Sequence, residues 1–517
     1  MSIFTFWKRD KSRADTPKTH PGKRSYMARS LAQLFKASKA QSNDNWGGMP
    51  TSIDAFITLY QVPLVARSRE QWSNNDYVRG FVRLMRQNIV GPNGVVLQGK
   101  VTKANGKPDK NLNQALEKAW CKWSEKGNCD VTGKLSFREI QNLCVETTVR
   151  DGEFLLRVVY GKDAGPFGFA LQVIDPQRLM IKYENTHYGN NGHFIRQGIE
   201  FNQYGRVIAY HFSSLEEWDA YYYTVAGRGF VRIPADEIIH GFVSEVAGQK
   251  RGLPWASTSL YRLHHLQGFE DASVQNARAS ATKMGFFQWK EGYSGPELDD
   301  GESIEIEAEP LGFHELPQGA EFVPFDPQYP NGEFQTFHKA MVRGASVGMG
   351  VPYNDLASDL ENVNFSSIRQ GTLDSREHYK EKQQWLIESL CNVVFRKWLE
   401  YALLDGQIKL PNGNAVPATR LNDLQCVEWK PRRWAWIDPR ADVDAFKESV
   451  KGGFMSVSQV IREQGRDPET VFAELANDIQ EMKSAGIPDD IIHQFFFGVA
   501  PPPPAKDAPA EKTTKDN

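Results

Sequence analysis

At Asp151-Gly152 the spacing of apolar residues switches from a helical to a strand period, and that switch constrains the fold most. Upstream, a helical pattern runs from about Ser52 to Met85. One helix is read from Asn75 to Ile89, with Tyr77, Phe81, Leu84 and Ile89 as its apolar stripe. VGPNG breaks that pattern, and VVLQGKV reads as a strand. Asn111 to Trp123 is a short amphipathic helix with Leu112, Ala115, Leu116, Ala119, Trp120 and Trp123 on one side. Ser136 is a candidate N-cap for a helix from Phe137 to Arg150, because its hydroxyl can accept an otherwise unpaired N–H. Downstream, EFLLRVVY, FALQVI, IRQGIEF, VIAYHF and EIIHGFV are short and β-branched, separated by Gly, Pro or Asn. Helices followed by strands imply an α+β unit over about 50–253.

From Pro254 the helical period returns for about thirty residues, a rod of roughly 45 Å. Proline suits a first helical position, where no N–H partner is needed. An acidic stretch and two strand candidates, GFHEL and AEFVPFDP, come next. A helix then starts at Phe334, with Phe337, Met341, Ala345 and Met349 on one face, and Gly350-Val351-Pro352 ends it. The polar loop YNDLASDLENVN leads to a long helix from Ser366 to Leu404, striped by Trp385, Leu386, Leu390, Val393, Val394 and Trp398. Ser456 with Gln459 forms a capping-box pair, and Asp467-Pro468 opens a helix that Gly486 and Pro488 close. The tail from Ala500 has the composition of a disordered segment.

Charge and motifs mainly exclude. The net charge is −3, so a tight grip on duplex DNA, which needs many cations against phosphates, is not expected. Charge is nonetheless uneven: residues 1–40 carry ten Lys or Arg against Asp10 and Asp15, while 297–309 carries seven acids and no base. Cys121, Cys129, Cys144, Cys391 and Cys426 are scattered and form no CxxC pair, which argues for a reducing compartment without a disulfide framework. No apolar run reaches the eighteen residues of a membrane span, and the N-terminus lacks the apolar core of a secretory signal. Gly94 and Gly99-Lys100 stand at phosphate-loop spacing, but Val101 replaces the magnesium-binding hydroxyl and no helix pattern follows. His264 and His265 are adjacent on a helix, about 100° apart, and cannot chelate one metal. No GxSxG elbow is present, and Trp429, Trp434 and Trp436 read as packing residues. Catalytic residues, cofactors and metal ligands are therefore not assigned. The competing class is an α+β hydrolase or DNA-processing enzyme whose site has no local signature.

Several ordered segments between 66 and 480 resemble the lambda-type phage portal family. They begin with Ala66-Arg67-Ser68-Arg69, Asn74-Asn75-Asp76-Tyr77 and QNIVG. Arg251-Gly252-Leu253-Pro254-Trp255 with Phe269-Glu270-Asp271-Ala272 follows, then LPQGAEFVPFDPQYPN and GMGVPYNDLASDLENVNFSSIRQG. WKPRRWAWIDPRADVDAF and EQGRDPETVFAEL complete the series.

The resemblance implies a non-enzymatic channel subunit, twelve to a ring, at one capsid vertex of the virion, assembled in the bacterial cytoplasm. It implies a basic flexible arm at 1–45, a wing from 46–253 and 366–445, and stem helices at 254–284 and 334–350. A small α/β clip would occupy 285–333, a tunnel loop 351–365, a helical crown 446–498 and a disordered tail 499–517. The loop residues expected to face DNA are Pro352, Tyr353, Asn354, Asp355, Ser358, Asp359, Glu361, Asn362 and Asn364. Glu297, Asp299, Asp300, Glu302 and Glu305 would meet the terminase or a connector by charge complementarity. Implied partners are further copies of the chain, the terminase large subunit, the major capsid and scaffold proteins, a head–tail connector, and duplex DNA held weakly, with no membrane.

Overall fold

The computed structural model describes residues 52–189, 192–213, 230–281, 285–290, 292, 319–324, 334–361, 364–434, 439–464 and 466–497. The chain divides into Met1–Phe56, of which only the last five residues are described, and Ile57–Asn517. In order, the first part of the chain gives α1 (Ile53–Asn74), α2 (Asp76–Ile89), β1 (Val96–Gly99), α3 (Lys110–Ser124) and α4 (Phe137–Asp151). Then follow β2 (Glu153–Tyr160), β3 (Phe169–Ile174), β4 (Asn185–Tyr188), β5 (His193–Arg196), β6 (Ile199–Phe201), β7 (Val207–Ser213), β8 (Phe230–Pro234) and β9 (Ile238–Phe242). The caps explain the helix starts. Asn75 Oδ1 accepts from the N–H groups of Tyr77 and Val78, and Ser136 shares a reciprocal capping box with Glu139.

All the described ladders are antiparallel: β3-β2-β9 in one sheet, β4-β5-β6-β7-β8 in another. IRQGIEF, expected as one strand, is a hairpin. Arg196 pairs with Ile199 across Gln197-Gly198, whose φ values of 54° and 78° make the two-residue turn that matches strand twist. Leu155, Ile174, Ile199, Phe212 and Ile238 fill a small core shared by these strands.

The later elements are α5 (Leu260–Ala281), β10 (Gly285–Trp289), β11 (Ala320–Pro324), α6 (Phe334–Met349) and α7 (Tyr353–Ala357). α8 (Phe365–Leu386) runs through a π-helical turn at Ile387–Cys391 into α9 (Asn392–Leu404), followed by β12 (Val427–Lys430). α10 (Pro439–Lys451), α11 (Val457–Glu463), α12 (Pro468–Ser484) and α13 (Asp489–Phe497) complete the described chain. Ser456 caps α11 through Gln459 N–H, but the Gln459 amide turns to Glu463 instead of closing the box.

Two expectations around 254–287 need correction. Helix begins at Leu260, not Pro254, because residues 254–259 form successive tight turns tied to α4 by Trp255 N–H donating to Val149 O. The helix is 22 residues, about 33 Å rather than 45 Å. Gly285-Phe286-Phe287, read as the end of the helical stretch, open a strand, Gly285–Trp289, paired with Ala320–Pro324.

The main core is made by segments far apart in sequence. β1 pairs with β12, matching Val96 to Lys430, and Trp120, Trp123, Phe137, Phe395, Trp398 and Trp429 pack around them. Trp120 meets Trp398 edge-on at 5.0 Å between centroids, and Trp123 Nε1–H donates to Phe169 O at 2.9 Å. Residues before 253 and after 366 therefore share one interior, which the intervening 254–365 also enters through Leu263, Val342 and Leu356.

A charged network sits inside that frame. Glu153, the first residue of β2, is fully buried and accepts from Arg251 Nε (2.7 Å), Gly252 N–H (3.1 Å), Gln61 (3.3 Å) and His240 Nε2 (2.9 Å). Arg251, 1% exposed, also donates to the carbonyls of Pro176 and Gln197. Burial alone would push the Glu153 carboxyl up, but Arg251 and His240 outweigh it and hold it at about 2. Its stabilising share is thus fully present above the ordinary carboxylate range and lost as pH falls through about 2. Nearby, Gly152 and Gly252 touch backbone to backbone, and a Cβ on Gly152 would lie 2.6 Å from Leu253 N. Arg69 bridges Asp151 (2.8 Å) and Asp175 (2.7 Å) beside them.

Substituting Arg251→Met leaves Glu153 as a buried, unpaired carboxylate. A loss of about 3–5 kcal/mol is expected, read as a lowered urea midpoint or as insoluble protein. An unchanged midpoint would refute this role.

Candidate functional site

The expected loop residues follow α6 directly. Met349 and Val351 are buried, and Gly350 and Val351 donate back to Val347 and Ser346, which closes the helix. The segment is less loop-like than its polarity suggested: Pro352 sits at the N-cap of the one-and-a-half-turn helix α7, and Leu356 anchors it in the core. Ser358 ends α7 in the left-handed region at φ 52°, which costs a non-glycine residue energy and fixes the chain reversal.

Two of the segment's acids, Asp359 and Glu361, are paired locally. Tyr353 O–H donates to Asp359 at 2.8 Å, and Glu361 N–H donates to the same carboxylate at 2.9 Å. Lys339, one helix back on α6, lies 3.3 Å from Asp359 and 3.1 Å from Glu361. The Glu361 N–H and the Tyr353 hydroxyl hold the Asp359 carboxyl below its usual range. Hydrogen bonds to Glu361 and Asp359 raise the Lys339 ammonium. Arg343, a turn after Lys339, places its guanidinium 5.2 Å from the Tyr353 ring centroid. Sequence reading saw the loop's acids but missed both cations. They lie on the preceding helix at 339 and 343, an i, i+4 pair that was the one available signal.

Asn354 is half-buried, while Asp355, Glu361 and Asn364 are exposed. Asn364 O accepts from Ile368 N–H at the start of α8. Asn362 lies outside the described residues, as do Glu297, Asp299, Asp300, Glu302 and Glu305 and the basic arm.

α5 and α6 run side by side into this loop. Ser259 Oγ donates to Ala345 O (2.9 Å) and Thr258 Oγ1 to Gly348 O (3.1 Å), while Arg262 occupies the space beside Gly344. Further along, Phe269 stacks on Phe334 at 5.5 Å and meets Phe337 edge-on at 5.0 Å. His338 Nε2 lies 2.7 Å from Glu270 on α5 and 3.2 Å from the Tyr77 hydroxyl on α2. The inner ends are buried through Leu260, Leu263, Leu266, Val342 and Ala345, whereas Val274 and Phe337 are exposed. The pair is thus rooted in the core at one end and apolar on its outside at the other.

The remaining sequence candidates have other duties. Gly99 N–H is taken by Glu117 (2.8 Å) and Lys100 N–H by Cys426 O (2.9 Å), so these amides cannot cradle a phosphate. His265 packs on Tyr261 while His264 faces Gln71. Trp429 and Trp434 donate to Asn392 and Asn88, and Trp436 lies outside the described residues. All five cysteines are unpaired thiols. Among the described residues, no helix is long and apolar enough to cross a membrane.

Comparison with known proteins gives one consistent likeness. Residues 39–383 match the family described as phage portal protein, lambda family. A probable portal protein of Halomonas phage phiHAP-1 is 35% identical over 485 residues, 92% of this chain and 91% of that relative. Portal protein B of Escherichia phage lambda is 20% identical over 480 residues, 86% and 88% of the two chains. A chain from the neck of an empty GTA particle is similar over 78% of this chain and 94% of its own, at 16% identity and a TM-score of 0.41.

Replacing Lys339 with Met is expected to raise amide exchange in 353–361 severalfold while leaving the global urea midpoint nearly unchanged, as partly exposed pairs do. Exchange unchanged from the parent would mean that the pairing does not hold the loop.

Proposed function

This chain belongs to the lambda family of phage portal proteins, and from that premise we propose that it forms a ring of about a dozen copies at one capsid vertex, through which DNA is packaged and ejected. The family match over most of the chain carries the reading. It is a structural role: the subunit guides DNA, and a separate terminase ATPase supplies the work.

The subunit's parts follow the architecture. The core shared by residues before 253 and after 366 supports a wing built from two chain segments, 46–253 and 366–445. α5 and α6 serve as the stem, within 254–284 and 334–350, and their exposed apolar residues suit burial against neighbouring copies. The β10–β11 ribbon belongs to the clip, 285–333, and the helices of 446–498 to the crown. Residues 351–365 form the tunnel loop. Lys339 pairs with Asp359 and Glu361 while Asp355 stays exposed, so the loop offers DNA a surface without a phosphate grip, one of low friction touched through Asn354, Asn362 and Asn364. Glu297, Asp299, Asp300, Glu302 and Glu305 of the clip meet the terminase or a head–tail connector, while capsid and scaffold proteins surround the wing and arm. Assembly takes place in the host cytoplasm and the product resides in the virion.

Electron microscopy of the purified chain should reveal rings with a central hole, and a uniform population of small monomers or dimers would sink the proposal. Charge reversal at Asp299, Asp300 and Glu302 should weaken terminase binding at least tenfold without dispersing the rings. Unaltered docking would remove the clip assignment.

A further inference from the structure

An open groove of about 520 Å3 lies where the turn after α2 meets the end of β12 and the residue following α11. Its charged lining is Lys430, Arg432 and Arg433, with no Asp or Glu among the described lining residues. The rest comes from Pro92, Gly94 and neighbouring apolar residues, with the polar Asn93 and Gln464. Such one-signed charge is notable in a chain of net charge −3.

The cations are held in different ways. Arg432 is fixed: its guanidinium donates to Gln87 O and to Asn88 Oδ1, 5.9 Å from the Trp434 ring. Arg433 is exposed and Lys430 half-buried, and neither makes an ion pair within 4 Å with a described residue. Burial pushes the Lys430 ammonium down, and Lys100 adds to this, while Asp467, Glu117 and Glu428 partly offset it. Those three carboxylates do not line the groove: Glu117 and Asp467 line the neighbouring cleft, and Glu428 pairs with Lys100. A fourth cation rims the site. The stem of Arg138 lies against Gly94, and its Nη1 donates to Pro92 O at 3.4 Å, leaving most of the fork exposed. The turn itself is rigid, because Gln141 clamps Val95 through both N–H (2.8 Å) and C=O (3.1 Å).

A fixed wall of arginine beside two uncommitted cations is an arrangement for successive phosphates: arginine forks chelate phosphate oxygens and lysine adds a point charge. We propose that this groove binds the phosphate backbone of duplex DNA. The choice of DNA over other polyanions rests on the portal reading; the anion site itself does not. The weak overall affinity that net charge dictates then coexists with one local grip, outside the acidic loop and separate from the basic arm.

The test uses the full chain and a fluorescein-labelled 30-base-pair duplex of arbitrary sequence, with anisotropy measured across a salt series. Lys430→Gln with Arg433→Gln should lower affinity by about tenfold or more at 0.1 M salt and reduce the slope of log K against log salt by about 2. Arg433→Gln alone should reduce the slope by about 1, and Arg433→Lys should restore it, which separates charge from fold. Unchanged affinity and slope in the double variant would overturn the proposal. So would poly-L-glutamate binding as tightly as DNA and being lost with the same substitutions, since the ligand would then be an acidic protein surface. Micrographs of the same samples keep the two readings apart. Intact rings with reduced DNA binding support both. Reduced DNA binding without rings in the parent chain keeps the anion site and removes the portal reading.

Discussion

Arg251 and Glu153 form an ion pair with almost no access to water, at the point where the two sheets, α1 and the root of α5 converge. Burying two charges costs several kcal/mol per ion, so the pair stands only because nearly every remaining donor and acceptor is matched. Gln61 reaches in from α1, His240 from β9, the Gly252 amide from the chain itself, and the carbonyls of Pro176 and Gln197 take the other guanidinium hydrogens. Each partner fixes one element relative to the others. Apolar packing could supply as much stability, but would not demand this single arrangement.

The consequence is a firm mount for the inserted segment. Residue 253 leaves this network and Tyr379, Leu386 and Leu390 of the later flank return to the core, so α5 and α6 extend from a body that both flanks help to build and in which Leu263, Val342 and Leu356 root the insertion. Antiparallel pairing of β1 with β12 joins residues more than three hundred positions apart and closes the body around the insertion. Such long loops cost entropy that grows only slowly with length, and the Trp-rich interior repays it.

Electrostatics follow a similar division. Asp359 and Glu361 of the loop pair locally with Lys339, whereas Lys430 and Arg433 beside β12 make no close ion pair with a described residue. A near-zero total therefore conceals surfaces with separate properties, and net charge bounds average affinity without locating any contact.

Much of the secondary structure was legible in the sequence because it rests on local physics. Asn75, Ser136 and Asp467 announce helix starts, and the strands β2, β3, β7 and β9 follow from β-branched runs bounded by Gly and Pro. Local signals failed where a distant partner decided. The Gln197-Gly198 turn hides in a run that alternates like one strand, since glutamine rarely takes φ 54° unless surroundings enforce it. Pro254 resembles a helix start, yet the N–H of Trp255 is claimed by Val149, so the helix begins six residues later. The lambda-type portal segments were recognisable in the sequence, and they fixed the family. Periodicity fixes which faces are apolar, but the choice of partner for each face is a long-range matter. Only the tertiary structure decided that Arg251 meets Glu153, that Lys339 pairs with Asp359 and Glu361, and that Lys430 and Arg433 face the turn at 92–94. Those pairings depend on distance in space, which no spacing along the chain encodes.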